Sequence, residues 1–452
     1  MAEVLRSVGL DVGTTSTQMI LSALTIENKA SAFSVPEMEI SDRKILYKSP
    51  IHFTPLLRGD LVDGEGIRAI VLEEYRKAGI TREDVDTGAV IITGETSRKE
   101  NAAAVLQNLS DFAGDFVVAT AGPDLESVLA AKGAGAVDLS AETGKTVLHM
   151  DIGGGTSNLA LIEDGHITAT GCLNVGGRLL KFDTDGAISY ISPVLVEIFD
   201  GKVGQIPTAT QLPALAETLV SALEMTAGLR KKTDLLDKLW TKECCELPPA
   251  LCATPLINAG GKVPVFSFSG GVADCIDTVH PDFAFGDIGP ILGQAIRKSR
   301  LCSGEYRLGT ETIRATVIGA GCHSAQLSGS TVFYQNVTFP LKNLPVVTQI
   351  SALSRQDSPG ILALPGVPAA HYREIVALAE EITQNWPAQP VLIALEADMA
   401  KALGHALALR LPKATPILCI DRVRLTDNSY LDIAAPVGTA LPVVVKTLIL
   451  NR

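Results

Sequence analysis

Two aspartates in this chain lie at the ends of apolar runs and are followed by glycine and hydroxyl residues, a combination suited to binding phosphate. Asp151 lies at the end of the run 148–152, and the sequence GGGT follows at 153–156. A glycine turn exposes backbone N–H groups that bind anions, because no side chain keeps a phosphate away from them. A carboxylate beside that phosphate would repel it unless a cation lay between them. Asp151 therefore predicts a divalent metal, Mg²⁺ held through water molecules.

The N-terminus carries the same pattern. In Val8–Leu21, Asp11 ends an apolar run, Gly13 and three hydroxyl residues follow, and a second apolar run begins. Asp11 and Asp151 are 140 residues apart. Repetition of one strand–turn–strand unit predicts a duplicated protein whose two hairpins hold a triphosphate in a cleft between the copies. Either segment alone could be an ordinary hairpin with a glycine-rich turn, so the repetition is what favours phosphate binding.

Alternating strand and helix patterns surround the two aspartates and predict an α/β architecture. Apolar spacing predicts a helix over 65–78 closed by Gly79, and a buried strand over 89–93. Ser97 and Glu100 form a capping box that predicts a helix reaching residue 108. We further predict strands over 44–49, 116–119 and 263–268, helices over 124–132, 207–229, 235–245, 313–329, 370–384 and 397–409, and a hairpin turn at Asp427-Asn428.

Further glycine motifs suit a nucleotide. Gly270 and Gly271 follow an apolar strand, where a flat ring such as adenine can lie against the backbone, although the pair could also be a plain strand-to-helix turn. Gly319 and Gly321 permit close contact by the helix that begins at 313. The sequence GKT at 144–146 matches the end of a Walker A loop, but a leucine occupies the place of its leading glycine, so no such loop is predicted.

Composition excludes several classes of function. The net charge of −12 and pI near 5.2 argue against nucleic acid or an anionic membrane as a partner. The eight cysteines form no C-x₂-C pairs, which predicts reduced thiols and a cytoplasmic protein. Cys244, Cys245 and Cys252 lack a histidine or fourth cysteine at zinc spacing. We expect neither a signal peptide nor a membrane span, because apolar runs such as Val443–Leu450 are too short.

Five segments, in order, resemble the signatures of the actin–Hsp70–sugar kinase superfamily. They are the two aspartate hairpins, TGE at 93–95 between them, SGG at 269–271, and Gly319-x-Gly321. The resemblance covers about residues 5–330. It implies duplicated actin-like (ribonuclease H-like) ATPase domains around a nucleotide cleft. We expect one over 1–146 and the other over 147–330, with an additional C-terminal α/β domain over 331–452.

The whole chain resembles, more closely, the reactivating factors of ethanolamine ammonia-lyase. The resemblance runs through SVGLDVGTTSTQ, ITGETSRKENA, LHMDIGGGTSNLA, FSFSGGVAD and YLDIAAPVGTALPVVVKTLI. It implies a chaperone that uses ATP and Mg²⁺ to release damaged adenosylcobalamin from the lyase, so that intact coenzyme can bind. The lyase is the implied partner, and the family further suggests a place in or at a bacterial microcompartment.

Carried over residue by residue, the resemblance implies a nucleotide site. Asp11 and Asp151 would hold the metal and act in catalysis, and Glu95 would orient the attacking water, unless it is a capping or surface glutamate. The phosphates would lie on Gly13, Thr14, Thr15, Ser16, Gly153, Gly154, Gly155 and Thr156, and the adenosine on Gly270 and Gly271. Outside this site, we expect His149 to face a sheet surface and His323 to be a packing position on its helix.

Three other functions fit parts of the sequence. A small-molecule kinase of the same fold would need a catalytic aspartate facing an acceptor hydroxyl, which we do not identify. A phosphohydrolase of the exopolyphosphatase type shares the segment around Glu95, but the adenosine motif argues against it. An actin-like filament protein would need an exposed hydrophobic plug, and none is evident. The sequence leaves open the role of residues 331–452, direct contact with cobalamin and the oligomeric state.

Overall fold

The fold is α/β and is built on three main sheets. The computed structural model describes residues 3–13, 16–28, 38–57, 61–93, 101, 117–120, 123–241, 264–323, 326–327, 332–353, 359–386, 390–423, 425, 429–433, 436 and 441–447. These form two compact units, one drawn from 1–92, 99–120 and 324–452, the other from 93–98 and 121–323. The predicted domain boundaries at 146 and 330 stay a prediction.

Thirteen described strands lie in the N-terminal part of the first unit and in the second unit. They are β1 (Glu3–Val12), β2 (Ser16–Asn28), β3 (Met38–Lys48), β4 (His52–Phe53), β5 (Thr87–Ile92), β6 (Val117–Thr120), β7 (Val147–Ile152), β8 (Ser157–Glu163), β9 (His166–Leu173), β10 (Leu180–Phe182), β11 (Ile188–Ile191), β12 (Val265–Ser269) and β13 (Tyr306–Leu308). The C-terminal strands are β14 (Gln326–Leu327), β15 (Phe333–Gln335), β16 (Leu341–Val347), β17 (Ile361–Leu364), β18 (Val391–Leu395), β19 (Ile417–Ile420), β20 (Ser429–Ile433) and β21 (Pro442–Thr447).

The α-helices of the described residues alternate with these strands. They are α1 (Gly64–Ala78), α2 (Pro123–Gly133), α3 (Ala136–Thr143), α4 (Gln211–Thr226), α5 (Asp234–Leu239), α6 (Asp274–Asp277), α7 (Gly289–Lys298), α8 (Ala315–His323), α9 (Ile350–Leu353), α10 (Tyr372–Asn385) and α11 (Ala400–Ala408). None of them is long and apolar enough to cross a membrane.

The first two sheets share one topology. The first has the order β3-β2-β1-β5-β6, and the second β9-β8-β7-β12-β13. In each, three consecutive strands run antiparallel, and two later strands add in parallel on the free side of the first strand. This is the ribonuclease H-like arrangement, so the predicted duplication of an actin-like fold is confirmed. The duplicated hairpins are β1–β2, here called the first hairpin, and β7–β8, the second hairpin.

The third sheet is eight-stranded and mixed, in the order β14-β21-β20-β16-β17-β18-β19-β15. Its centre, β16 to β19, is parallel, and α9, α10 and α11 connect these strands in turn. Parallel strands need such crossovers and are buried on both faces. Accordingly, separate apolar cores lie on the two faces of this sheet. The expected α/β character of the C-terminal region is confirmed.

Most predicted elements are present, with shifted ends. The helix predicted over 65–78 is α1, and Gly79 closes it in the left-handed conformation at φ 69°. Two helices were predicted too long. The run 313–329 is helical only to His323, because Gln326–Leu327 pairs with β21 as a strand. In the run 235–245, the helix ends at Leu239, because the extended Trp240 forms a bridge to the end of β9, and residues 242–245 lie outside the described residues.

A few expectations fall elsewhere. The helix predicted from 207 begins at Gln211. The capping-box helix over 97–108, the turn at Asp427-Asn428 and the cysteines at 244, 245 and 252 lie outside the described residues. Five cysteines within the described part are buried and form no disulfide, namely Cys172, Cys275, Cys302, Cys322 and Cys419.

Candidate functional site

The turn of the second hairpin presents two open backbone amides. Gly153 N donates to the carbonyl of Thr156 at 2.9 Å, which closes a two-residue loop of Gly154 and Gly155. Within the part of the chain that is described, no hydrogen bond engages the N–H of either loop residue. No atom lies within 4 Å of the place that a Cβ would take on Gly155. The loop therefore offers two N–H groups and free space to an anion, as a phosphate-binding turn requires.

A second glycine segment supports this loop from beneath. Gly177 N donates to the carbonyl of Gly153, and Arg178 N to that of Gly154. A Cβ on Gly176 would lie 2.4 Å from the Gly154 carbonyl oxygen, so only glycine allows this approach. The aliphatic part of Arg178 lies against Gly154, 3.2 Å from the place of a Cβ. A cationic side chain thus stands beside the turn, although sequence reasoning did not find it.

The guanidinium group of Arg178 is held by one carboxylate. Its Nε lies 3.3 Å from Asp287 Oδ2, and the other oxygen of Asp287 accepts from Gly289 N at the start of α7. Burial raises the pKa of Asp287, while the Gly289 N–H and the arginine act in the opposite direction. Asp287 therefore fixes Arg178 from one side and leaves a side chain that is about one-third exposed.

Asp151 is buried beside the turn of the second hairpin, with 8% of its surface exposed. Its Oδ1 accepts the hydroxyl of Ser269 at 2.5 Å, and its Oδ2 lies 3.5 Å from the Thr316 hydroxyl. Burial raises the pKa of Asp151, and the hydrogen bonds from the two hydroxyls lower it. Burial is the larger effect, and the resulting pKa is about 6. Because a nearby cation would favour the ionised carboxylate, this environment suits a metal ligand.

The glycine pair of the predicted adenosine motif lies directly beside these residues. Gly270 has φ +85°, and a Cβ there would be 2.3 Å from the carbonyl oxygen of Ile152 in β7. Val272 N donates to that same carbonyl at 3.1 Å. Gly271 faces open space, since its nearest neighbour would be Ile313 at 3.8 Å. The structure thus brings together Asp151, the phosphate turn and the glycine pair within the second unit.

The first hairpin is closed by the corresponding hydrogen bond. Gly13 N donates to the carbonyl of Ser16 at 2.8 Å, as in the second hairpin. Thr54, which follows β4, donates its hydroxyl to the Gly13 carbonyl at 2.8 Å and meets the hydroxyl of Thr17. Asp11 is partly exposed and pairs in register with Gln18. The two residues of this loop, Thr14 and Thr15, lie outside the described residues, as does Glu95.

The residues around Asp151 fit a hydrated Mg²⁺. Asn158 lies directly opposite Asp151 in the β7–β8 ladder. Its Nδ2 donates to Glu126 at 2.7 Å, but its buried Oδ1 has no hydrogen-bond partner among the described residues. An unfilled acceptor beside a carboxylate suits a metal-bound water. No cluster of three or more histidine, cysteine, aspartate or glutamate ligands occurs in the described ranges.

Two other sequence expectations can be placed. His149 does lie on a sheet face, but it is fully buried, and burial lowers its pKa to about 3. The GKT sequence is no phosphate loop, because Gly144 caps α3 and Lys145 pairs with Glu305 at 2.7 Å. The side chain of His323 lies outside the described set.

Comparisons with known proteins agree over the full length. The model of the family described as ethanolamine utilisation protein EutA matches residues 3–451. The chain is 40% identical to the ethanolamine ammonia-lyase reactivase EutA of Salmonella typhimurium and 38% identical to that of Escherichia coli, over 98% of each chain in both cases. Among solved structures, the PPX-GPPA enzyme of Aquifex aeolicus matches at 13% identity and a TM-score of 0.37, covering 70% of this chain and 89% of that one.

Proposed function

This chain belongs to the family of ethanolamine utilisation protein EutA, and from this premise we propose that it is an ATP-dependent reactivating chaperone for adenosylcobalamin-dependent ethanolamine ammonia-lyase. The observation that carries the proposal is the 38–40% identity to two named reactivases over nearly the whole of both chains. ATP hydrolysis is coupled to release of damaged cobalamin from the lyase, after which intact coenzyme binds.

The two hairpins supply the phosphate contacts. In the second hairpin, the amides of Gly154 and Gly155 donate to phosphate oxygens, and Arg178 adds a positive charge at the same turn. In the first hairpin, Gly13, Thr14, Thr15 and Ser16 take the corresponding part. Gly270 and Gly271 receive the adenosine. The open loop amides and the free space at Gly155 and Gly271 support these assignments.

Asp11 and Asp151 hold the magnesium ion, with Asn158 accepting a hydrogen bond from its hydration shell. When bound, Mg²⁺ neutralises phosphate charge and polarises the bond that is to be broken. Glu95 orients the attacking water. The unfilled acceptor of Asn158 and the burial of Asp151 support the metal assignment.

Coupling to the lyase requires that the nucleotide change the affinity between the two proteins. A bound nucleotide can shift an equilibrium only by the difference in its affinity for the two states. We assign the higher affinity for the lyase to the ADP-bound form, which separates lyase subunits and lets cobalamin escape. The net charge of −12 is consistent with a protein partner rather than nucleic acid or membrane. The place of action is the cytoplasm, in or at a bacterial microcompartment.

The test is recovery of ethanolamine ammonia-lyase that has been inactivated with cyanocobalamin. The full chain is added with free adenosylcobalamin and Mg²⁺, together with ATP, ADP or a non-hydrolysable ATP analogue. We expect recovery with ATP and little or none with the other two: ADP alone keeps the lyase bound in the complex, and the analogue never yields the ADP-bound form. If ATP is hydrolysed but the lyase does not recover, the protein is instead a kinase or phosphohydrolase of the same fold.

A further inference from the structure

A row of buried polar groups leads through the second sheet to Asp151. In β7, His149 and Asp151 are two residues apart and share one face, and their partners in β12 are Ser267 and Ser269. The ring of His149 bridges the two serines, with Nδ1 3.1 Å from Ser267 Oγ and Nε2 2.9 Å from Ser269 Oγ. Ser269 continues the row to Asp151 Oδ1. We call these four residues the polar row.

The direction of each hydrogen bond in the polar row follows from chemistry. The ionised carboxylate of Asp151 can only accept, so Ser269 donates its single hydroxyl proton to it. The oxygen of Ser269 must then accept from His149, whose Nε2 carries the proton. Nδ1 is left as an acceptor for the hydroxyl of Ser267. Every donor points toward Asp151, which orients the carboxylate and stabilises its charge.

The first hairpin shows that the fold does not need these groups. Asp11 pairs in register with Ile91, where Asp151 has Ser269. Two residues earlier, Gly9 pairs with Ala89, in the places of His149 and Ser267. The same sheet position is therefore built in the first unit without a polar side chain. Because buried polar groups stabilise a fold less well than apolar packing of equal volume, the polar row calls for another explanation.

Ser269 also ends the strand that leads into the adenosine glycines. Gly270 follows it directly and is fixed against the backbone of Ile152. A displacement of the glycine pair would thus move the hydroxyl that holds Asp151. Ser269 is fully buried, so bulk solvent does not reach its hydroxyl.

Resting on the proposed function, we infer that Ser269, oriented by His149, is a positioning residue that sets the affinity of Asp151 for Mg²⁺ and links the adenosine glycines to the metal. Partners that hold a metal-bound carboxylate in place typically change metal affinity by about tenfold or more. Ser269 acts through Asp151 and itself contacts neither metal nor phosphate.

The test measures Mn²⁺ binding to the full chain by electron paramagnetic resonance, with ADP saturating, and separately measures ADP binding in excess chelator. We expect Ser269→Ala to weaken Mn²⁺ binding about tenfold and to leave metal-free ADP binding nearly unchanged. His149→Ala should weaken Mn²⁺ less, and Ser267→Ala least. Ser269→Thr, which keeps the hydroxyl, should restore binding. Ser140→Ala is the matched control, because Ser140 is also buried and donates to a backbone carbonyl in the same unit.

The outcomes are distinguishable. Equal Mn²⁺ affinity in the wild type and in Ser269→Ala would overturn the inference and leave the proposed function standing. Failure of the wild type to bind either Mn²⁺ or ADP would overturn the proposed function as well. Melting temperatures show which variants fold, and if Ser269→Ala does not, His149→Ala and Ser267→Ala still decide the matter, since an unchanged Mn²⁺ affinity in both contradicts the polar row.

Discussion

The two hairpins share a backbone but differ in what supports them. Both are closed by the same hydrogen bond, from Gly13 N to Ser16 O in one and from Gly153 N to Thr156 O in the other. Both place an aspartate opposite an amide side chain, Gln18 or Asn158. Duplication therefore preserved the closing hydrogen bond and the pairing of a carboxylate with an amide side chain.

The supports lie on different elements. The first turn is held by a threonine hydroxyl, that of Thr54. The second is held by the Gly176–Arg178 segment, by Gly270 and by the polar row. The comparison teaches that contacts within the protein fix the second hairpin, with its carboxylate buried and oriented. The first has a partly exposed carboxylate, and within the described residues the β5 partners of Gly9 and Asp11 are the apolar Ala89 and Ile91.

The largest expected effect on this comparison comes from the contact between Gly270 and the second hairpin. Gly270→Ala would place a Cβ 2.3 Å from the Ile152 carbonyl oxygen at φ +85°. We expect the free energy of unfolding to fall by about 3 kcal/mol, measured by urea denaturation. Gly271→Ala, which meets open space, is the control and should cost less than about 1 kcal/mol. An equal loss of unfolding free energy in both variants would contradict the claim that Gly270 fixes the hairpin.

Arg178 offers a smaller change that is specific to the second turn. Arg178→Ala removes the positive charge beside Gly154 and its pairing with Asp287. We expect ATP affinity to fall about tenfold, the scale of one hydrogen bond to a charged group, with partial recovery in Arg178→Lys. Arg307→Ala removes an exposed pair with Glu305 and should leave ATP binding unchanged in the same fluorescence titration. Unaltered affinity in Arg178→Ala would show that this arginine does not meet the phosphates.

Thr54 provides the matching change in the first hairpin. Thr54→Val removes the hydroxyl that holds the Gly13 carbonyl. The expected loss of stability is about 1 kcal/mol, the net value of one buried hydrogen bond, and thermal unfolding measures it. Thr218→Val, where the hydroxyl bonds only to its own helix, should cost less. A loss as large as that of Gly270→Ala would mean that the first hairpin is as firmly fixed as the second.

The pH dependence of stability should distinguish the two units. We expect this effect to be smaller than those of the three preceding predictions. In the first unit, Glu74 is buried within α1, and Lys77, Tyr47 and His52 bond to its carboxylate. Burial alone would raise the pKa of Glu74, but these hydrogen bonds outweigh it and lower the pKa. A lowered pKa gives stability that is present above the unfolded value of 4.5 and lost as pH falls through the folded value.

Asp151 in the second unit has the opposite sign. Its raised pKa means that the proton stabilises the folded state, so stability is present below the unfolded value of 3.8 and is lost as pH rises through about 6. We expect Glu74→Gln to reduce the loss of stability below pH 4.5, and Asp151→Asn to flatten the change between pH 4 and 6. Melting curves across pH 3 to 7 measure both slopes, and identical slopes in all three proteins would contradict the assignment.

The sequence was sufficient for the parts of the site that are local in the chain. Asp151 and the glycines after it define a strand and turn by type and spacing, and so do Asp11 and Gly13. The repetition of this strand–turn–strand unit then predicted the duplicated sheet. Residues that reach the site from distant segments were missed. Thr54 follows β4 and arrives through the pairing of that strand with β2. Arg178 arrives through the backbone hydrogen bonds of Gly177 and Arg178 to the second turn, and the two glycines before it were a hint.

The helix ends show the same limit. The periodicity of 313–329 continues past His323, yet Gln326–Leu327 is a strand because β21 offers it partners. Trp240 leaves its helix to bridge β9. His149 was expected on a sheet surface, and only the register of β7 with β12 places two serines against its ring. Pairing between distant segments determined the structure at each of these positions, and the spacing of residues along the chain does not predict such pairing.

The central claim is that both aspartates serve one ATP-dependent reactivation. The most direct test compares the rates of lyase recovery and ATP hydrolysis for the wild type, Asp11→Asn and Asp151→Asn, with Asp237→Asn as control because Asp237 is an exposed partner of Lys232. We predict that either site variant loses both activities and that the control keeps them. Recovery of the lyase at the wild-type rate by Asp11→Asn or by Asp151→Asn would contradict the account.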